Sequence, residues 1–476
     1  MKKKTVLFTL ALCLTVVLAL ILSGCTAANS ADALDAEIND NGELIIKFSD
    51  GSEKNLGVVV GADGKDGANG KDGAPGENGK DGEDGKNGKD GKDGEDGEDG
   101  RDGSDGEDGT VDISLNINTD DTAVAAAIAK GLRSTVSIES HYKKTVYNIY
   151  TGTTVTDYAS EGSGVIYKLD DEAGNAYIIT NHHVVYDAEC NTADKISDNI
   201  KVYLYGSEYA EQSFPATYVG GSMNYDIAVL YVEGCDALRD EFPSSCTLAD
   251  SDTVSVGETS IAIGNAEGLC ISATSGIISV DSEDIAMNLA DGTGQVSRRV
   301  IRIDTSVNHG NSGGPLFNDR GEVIGIVSAK LEDDTVDNIG YAIPSNVARA
   351  VADNIIDNCV GTELKTVQRV MMGISIIPTD SKAAFNTETG KIEISESTKI
   401  LTVNEGSAAE GLLFADDIIL SAMLNGKTKP ITRNHHLIDI SLDLRVGDTL
   451  TLVVLRGGIE VTVDITFDAG DVTNYK

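Results

Sequence analysis

The sequence predicts a mainly β chain: a β-barrel or sandwich region, then a separate α+β unit, behind a glycine-repeat stalk. Three patterns carry this. From Ser134 onward, short apolar or alternating runs recur between Gly, Asn and Asp, as in Lys201-Val202-Tyr203-Leu204 and Arg299-Val300-Ile301-Arg302-Ile303, which is the spacing of an all-β barrel or sandwich. Across residues 362–470, strand-like runs are interrupted by one helical pattern. Across residues 61–109, every third residue is glycine without a break. The 476 residues leave room for two or three domains. Tryptophan is absent and aromatics make up 5%, so the cores must be built from Val, Ile, Leu and Ala. A net charge of −40 repels a phosphate backbone. It excludes nucleic acid as a partner and gives a soluble, self-repelling surface.

Taken in order, residues 1–24 read as a secretory leader. Lys2, Lys3 and Lys4 form a charged start, residues 6–22 are almost wholly apolar, and Leu22-Ser23-Gly24-Cys25 resembles the bacterial lipobox. The lipobox implies cleavage before Cys25, lipidation of its thiol and attachment to a membrane. An uncut N-terminal anchor is the alternative, and both put the rest of the chain outside the cytoplasm. Residues 25–35 read as a short polar tether. Residues 36–60 read as a small hairpin, with Glu43–Phe48 and residues 56–60 flanking Ser49-Asp50-Gly51-Ser52.

The glycine period of residues 61–109 is what a collagen-like triple helix requires, because only hydrogen fits at its axis. Yet Pro75 is the one proline there, and seven basic residues face seventeen acidic ones, so a flexible acidic linker competes with the collagen-like stalk. The period matches neither an EF-hand loop nor an RTX repeat. Residues 110–121 form a strand-like joint, and the Ala-rich residues 122–130 a helix that Gly131 ends. Five cysteines remain after Cys13 and Cys25, namely Cys190, Cys235, Cys246, Cys270 and Cys359. Their odd number leaves at least one unpaired within the chain, and Cys235 and Cys246 are near enough in sequence to close a small loop. No spacing suggests zinc, and neither a metal nor a cofactor is expected.

Chemistry concentrates in three segments. Gly310-Asn311-Ser312-Gly313-Gly314-Pro315-Leu316 places a hydroxyl among glycines. A serine nucleophile needs such a turn, where backbone N–H groups approach a developing oxyanion unobstructed by side chains; Gly310, Asn311 and Ser312 are the candidate oxyanion-hole residues. Tyr177-Ile178-Ile179-Thr180-Asn181-His182-His183-Val184-Val185 is a strand running into two histidines, and Asn224-Tyr225-Asp226-Ile227-Ala228-Val229-Leu230 sets an acid before a strand. The order His, Asp, Ser is that of a chymotrypsin-like triad, with Ser312 as nucleophile, a histidine as base and Asp226 as its orienting acid.

Together T-N-x-H-V-V, D-I-A-V-L and G-N-S-G-G-P-L resemble the HtrA/Deg family of trypsin-fold serine proteases. In that family the histidine precedes the valines directly, which selects His183 and leaves His182 as a polar strand-end residue. The resemblance implies a chymotrypsin/trypsin-like double β-barrel over residues 110–361, six strands to each barrel, and Val347, Val351 and Ile355 at helical spacing predict a closing helix over residues 344–360. Gly162-Ser163-Gly164 resembles the family's G-S-G segment, a close-packed strand start. Asn311 stands where zymogen-type relatives carry an aspartate that pairs with a new N-terminus, so activation is expected from loop ordering instead. Ser306, where trypsin-like enzymes carry Asp, and Val307, with Ile339 and Gly340 in a pocket-wall segment, imply a pocket for a small or medium aliphatic residue.

Residues 362–470 resemble a PDZ domain of the HtrA type. Met371-Met372-Gly373-Ile374-Ser375-Ile376 reads as a loop entering a strand to which an extended C-terminal peptide adds, with Met372, Gly373, Ile374 and Ile376 as peptide-binding residues. His435 and His436 start a helix over residues 432–444 and read as solvated, with a metal or pH role as the alternative. The expectation is a membrane-anchored extracytoplasmic endopeptidase. Its partners are misfolded or exposed polypeptides and C-terminal peptides, and it assembles as a homotrimer, which a collagen-like stalk also favours. The rival is a catalytically silent collagen-stalk scaffold or adhesion protein working through its PDZ domain.

Overall fold

The computed structural model describes residues 33–38, 43–48, 53–58, 120–148, 152–208, 212–330 and 339–475. It divides into two units, residues 1–108 and 109–476. In the first, strands β1 (Ala33–Ile38), β2 (Glu43–Phe48) and β3 (Glu53–Val58) form an antiparallel sheet in that order. The sequence reading gave two strands here and put residues 33–35 in the tether. Ala, Asp and Glu disfavour strands, so β1 has no local signature, and its backbone pairs with β2. The leader, Cys25 and the glycine repeat lie outside the described residues. So does the 110–121 joint, except its last two residues, which open a helix. Among the described residues, no helix is long and apolar enough to cross a membrane.

The second unit begins with the helix Asp120–Leu132. Gly131 lies inside it rather than ending it: a Cβ there would sit 2.7 Å from both Ile263 Cδ1 and Phe317 Cε2, so the glycine allows the helix to press on the core. Then come β4 (Thr135–Asn148), β5 (Gly152–Asp170), β6 (Asn175–Thr180), β7 (Asn199–Leu204), β8 (Phe214–Ser222) and β9 (Ile227–Val232), closing into a barrel in the order β4-β5-β6-β9-β8-β7. A second barrel follows from β10 (Thr259–Gly264), β11 (Ser272–Asn288), β12 (Gln295–Ile303), β13 (Pro315–Phe317), β14 (Val323–Lys330) and β15 (Gly340–Pro344), in the order β10-β11-β12-β15-β14-β13. The expected pair of six-stranded barrels is what the chain forms.

Strand alternation explains how the barrels join. Successive side chains point to opposite faces. Ile178 and Leu230 fill the first barrel with Val136, Ile138 and Val202, while their neighbours Ile179 and Val229 face outward into a shared core with Ile261, Ile263 and Phe317. Ala262, between those two isoleucines, turns into the second barrel with Ile278, Ile301 and Leu316. Both faces of these strands are thus buried, which is why their sequences read as unbroken apolar runs. The helix Ser345–Cys359 seals the shared core with Val347, Val351 and Ile355, the helical spacing seen in the sequence.

The chain ends in an α+β region: β16 (Val367–Val370), β17 (Ile374–Asn386), β18 (Lys391–Val403), β19 (Ile418–Leu424), β20 (Lys427–Pro430), the helix Asn434–Leu442, β21 (Thr449–Arg456), β22 (Ile459–Thr466) and β23 (Val472–Tyr475). Its main sheet runs β17-β18-β19-β21-β22, with β20 beside β19. β23 lies beyond residue 470, where the sequence reading ended the domain, and pairs with β16. The five remaining cysteines are all free thiols, Cys235 and Cys246 included.

Candidate active site

β6 ends at Thr180, and Asn181 turns the chain into the short helix His182–Val185. Asn181 Nδ2 donates to the Asp226 carbonyl at 2.8 Å, tying this turn to the entry of β9. Asp226 is buried with φ of +55°, a left-handed conformation that a non-glycine residue holds only under constraint. Its carboxylate supplies that constraint. It accepts from the His183 N–H at 3.1 Å, from His183 Nδ1 at 2.9 and 3.0 Å, and from the Ser328 hydroxyl at 2.8 Å.

These contacts set the electrostatics. Burial works against charge on Asp226. His183, then Arg298 and the Ser328 hydroxyl, override it and bring the carboxyl down to about 2. Loss of water likewise disfavours the His183 imidazolium, but Asp226 reverses this by charge and hydrogen bond, so His183 titrates above its ordinary value. Sequence reasoning missed Ser328 and Arg298, which reach Asp226 from β14 and β12.

Ser312 stands between Gly310, at φ +88°, and Gly313, at φ +84°. A Cβ at Gly310 would collide with the Asn265 carbonyl, and one at Gly313 with the Ser163 carbonyl, so both glycines are required by conformation and by space. The Ser163 N–H donates to the Ser312 carbonyl at 2.9 Å, and Ser163 Oγ to the Gly310 carbonyl at 2.7 Å. Gly162-Ser163-Gly164 therefore lies mid-strand in β5 as a clamp, not at a strand start. The Ser312 hydroxyl donates to the Ser328 carbonyl at 3.3 Å. The Asn311 N–H is spent on the Asn308 carbonyl at 3.1 Å, which removes Asn311 from the expected oxyanion donors. Among the described residues the Gly310 and Ser312 amides meet no protein acceptor.

His183 and Ser312 line one cleft of about 640 Å³ with Val307, Val327, Tyr341, Ile285 and Met287. Of the expected pocket residues Val307 faces this cleft, and Ser306, Ile339 and Gly340 do not. Gly340 instead backs Val307, whose Cγ2 a Cβ there would approach to 2.7 Å. Alternation in β15 turns Tyr341 to the cleft, and the β11 residues arrive from far away in sequence.

His182 is no polar strand-end residue. It is buried between Tyr186 and Tyr218, with ring centroids at 5.3 and 6.3 Å, and burial pushes its pKa down to about 4. His435 and His436 also depart from expectation. The helix Asn434–Leu442 packs on the second barrel, so His436 is buried and His435 Nε2 lies 3.6 Å from Asp252 Oδ1. Burial, with Arg299 and the neighbouring histidine, depresses His435. Among the described residues Asp252, His435 and His436 form the one cluster with metal-ligand spacing. Arg299 and Lys429 already occupy the Asp252 carboxylate, so a dication would meet two fixed positive charges.

In the C-terminal region, Met372, Gly373, Ile374 and Ile376 line a groove of about 210 Å³ with Arg369, Leu437, Ile438 and Ser441. β17 is the edge strand of its sheet. Sequence reasoning missed Arg369, which the fold brings beside these residues.

The trypsin-like peptidase domain family matches residues 162–326, and the collagen triple helix repeat family matches residues 59–112. The chain is 34% identical over 320 residues to the serine protease Do-like HtrA of Bacillus subtilis (strain 168), covering 65% of this chain and 64% of that protein. It is 33% identical over 311 residues to the periplasmic pH-dependent serine endoprotease DegQ of Escherichia coli (strain K12), covering 64% and 59%. It is 31% identical over 375 residues to the serine protease Do-like HtrA of Lactococcus lactis subsp. cremoris (strain MG1363), covering 74% and 84%. The chain thus spans somewhat less than two thirds of the Bacillus and Escherichia relatives and most of the Lactococcus one. With two closed barrels, a peptidase match that runs across both and that last coverage, the chain belongs to the HtrA family of trypsin-like serine proteases.

Proposed function

We propose that this chain is an extracytoplasmic serine endopeptidase in which Ser312 attacks the peptide carbonyl, His183 relays the proton and Asp226 orients the imidazole. The observation that carries the reading is the double contact of His183 Nδ1 with Asp226, at 2.9 and 3.0 Å, beside a cleft that His183 shares with Ser312. With Nδ1 donating to the carboxylate, Nε2 is left as the base, and the imidazolium it becomes is balanced by the same carboxylate. The open amides of Gly310 and Ser312 support an oxyanion hole, where charge develops in the transition state.

The cleft walls Val307, Val327, Met287 and Tyr341 support cleavage after a small or medium aliphatic residue. The edge position of β17 and the adjoining groove support a PDZ domain that adds a C-terminal peptide as a strand. Misfolded or exposed polypeptide is the substrate in this reading. The lipobox at Cys25 supports a lipid anchor, and the glycine repeat, with its collagen family match, supports assembly from three chains.

The test incubates the full chain with unfolded casein beside a Ser312→Ala copy. Cleavage after aliphatic residues by the parent, with loss of on the order of 10³-fold or more in the variant, is expected. Absence of cleavage by both, with C-terminal peptides present, would sink the protease reading in favour of a silent scaffold.

A further inference from the structure

One buried cation lies beside the proposed triad, and the mechanism above leaves it unused. Arg298 sits on β12 and is almost fully buried. Its Nε donates to the Asn224 carbonyl at 2.7 Å, and Nη2 donates to the Met223 carbonyl. Nη1 lies 3.7 Å from Asp226 Oδ2 and 3.6 Å from Met287 Sδ. One side chain therefore grips the two carbonyls that lead into Asp226 and also faces its carboxylate. Lysine has no planar fork with which to do this. The turn it holds is the one that carries Asp226 in its left-handed conformation, and such a conformation persists only where neighbours over-determine it.

We propose that Arg298 is a positioning residue for the hydrolysis: its fork fixes the 223–226 turn that presents Asp226, and its charge biases His183 toward the neutral, proton-accepting form. The proposal rests on the reading of Ser312, His183 and Asp226 as a triad. Charged and titratable groups reach this site from several elements. The entry to β9 contributes Asp226, which attracts Arg298. The helix His182–Val185 contributes His182 and His183, whose protonated forms Arg298 repels. From β14 comes the Ser328 hydroxyl, and from the turn after β11 comes Asp291, which acts on His182. Glu283 and Asp284 of β11 share a cavity wall with Arg298; Glu283 is paired with Arg302. From the C-terminal helix comes Asp439, held by the neighbouring Arg299. Arg298 is thus the cation placed against Asp226 Oδ2, the oxygen that His183 Nδ1 also contacts at 2.9 Å.

The experiment uses the full chain, with kcat/KM for peptide hydrolysis followed across the acid limb of the pH profile. Arg298→Gln keeps a donor toward the turn and loses the charge; its acid limb should move to higher pH by roughly one unit. Arg298→Lys keeps the charge and loses the fork; its limb should stay put while kcat falls about tenfold, as expected for a slightly misplaced group. A Gln variant whose limb coincides with the parent's overturns the charge role, whatever its stability. Should the Gln variant not fold, the Lys variant decides, and a parental kcat there overturns the positioning role. Ser312→Ala separates the two levels. If it hydrolyses as fast as the parent, the triad reading falls and takes this proposal with it; if it is silent while the Gln limb is unmoved, only the role of Arg298 falls.

Discussion

Ser163 Oγ donates to the Gly310 carbonyl at 2.7 Å from the opposite barrel, and the same oxygen accepts the Asn265 N–H at 2.8 Å. One fully buried hydroxyl therefore joins β5 of the first barrel to the end of β10 and the Ser312 turn of the second. Ser163→Ala strands a buried carbonyl and a buried amide, at a cost of about 1–3 kcal/mol, and releases the turn from one side. Urea unfolding should register the loss, and steady-state kinetics a fall in kcat with KM little changed. A parental kcat would mean that the turn holds itself.

His183 accepts a proton only when neutral, and its pKa is raised above the ordinary 6.5 by Asp226. Activity should therefore climb with pH through a midpoint above 6.5. Asp226→Asn removes both the charge and the carboxylate acceptor for Nδ1. The expected result is a fall in kcat on the order of 10⁴-fold, with the residual activity's acid limb displaced to lower pH. A limb that does not move would place its control elsewhere.

His182 contributes to stability against pH rather than to the reaction. Buried and held at about 4 instead of 6.5, it stays neutral in the native chain while the unfolded chain takes up a proton. Its contribution is intact above pH 6.5 and is lost as pH falls from 6.5 to 4, by roughly 3 kcal/mol in total. His182→Phe keeps an aromatic between Tyr186 and Tyr218 and should flatten the unfolding free energy across that window. An unchanged slope in chemical denaturation would count against the assignment.

Arg299, next to Arg298 on β12, carries the junction with the C-terminal helix. It donates to Asp439, to Asp252 at 2.9 Å and to Ser282 Oγ at 3.0 Å, all part-buried or better. Arg299→Met leaves the buried Asp439 uncompensated, which costs about 3–5 kcal/mol. Burial already pushes Asp439 up, with Asp252 adding to it, so lowering the pH should partly rescue the variant by neutralising that charge. Faster limited proteolysis around residues 360–366, slowed again at lower pH, is the expected pattern. Equal proteolysis of parent and variant would remove Arg299 as the anchor.

Much of the site was legible because its chemistry is local. A nucleophile turn needs glycines within two residues of Ser312, and the histidine and aspartate each sit where an apolar strand meets a turn. Period-two alternation and unbroken apolar runs marked the barrel strands. The 3.6-residue spacing of Val347, Val351 and Ile355 marked the closing helix. The misses share one cause. Gly131 looked like a helix end because the Ile263 and Phe317 side chains that explain it lie far along the chain. His182 looked like a polar strand end, and His435 and His436 looked solvated, because the surfaces that cover them come from other elements.

The sequence by itself determined the order of the barrel region and the α+β region, the three residues proposed to react, the edge strand of the C-terminal groove and the glycine repeat. Each depends on neighbours a few residues away or on a strict period. Only the tertiary structure decided that Ser328 and Arg298 close around Asp226, that Ser163 clamps the Ser312 turn, and that Tyr341 rather than Gly340 faces the cleft. Those relations join groups from strands on separate barrels or separate edges. Their geometry is fixed by how the sheets close and pack, and no pattern in a linear chain encodes it directly.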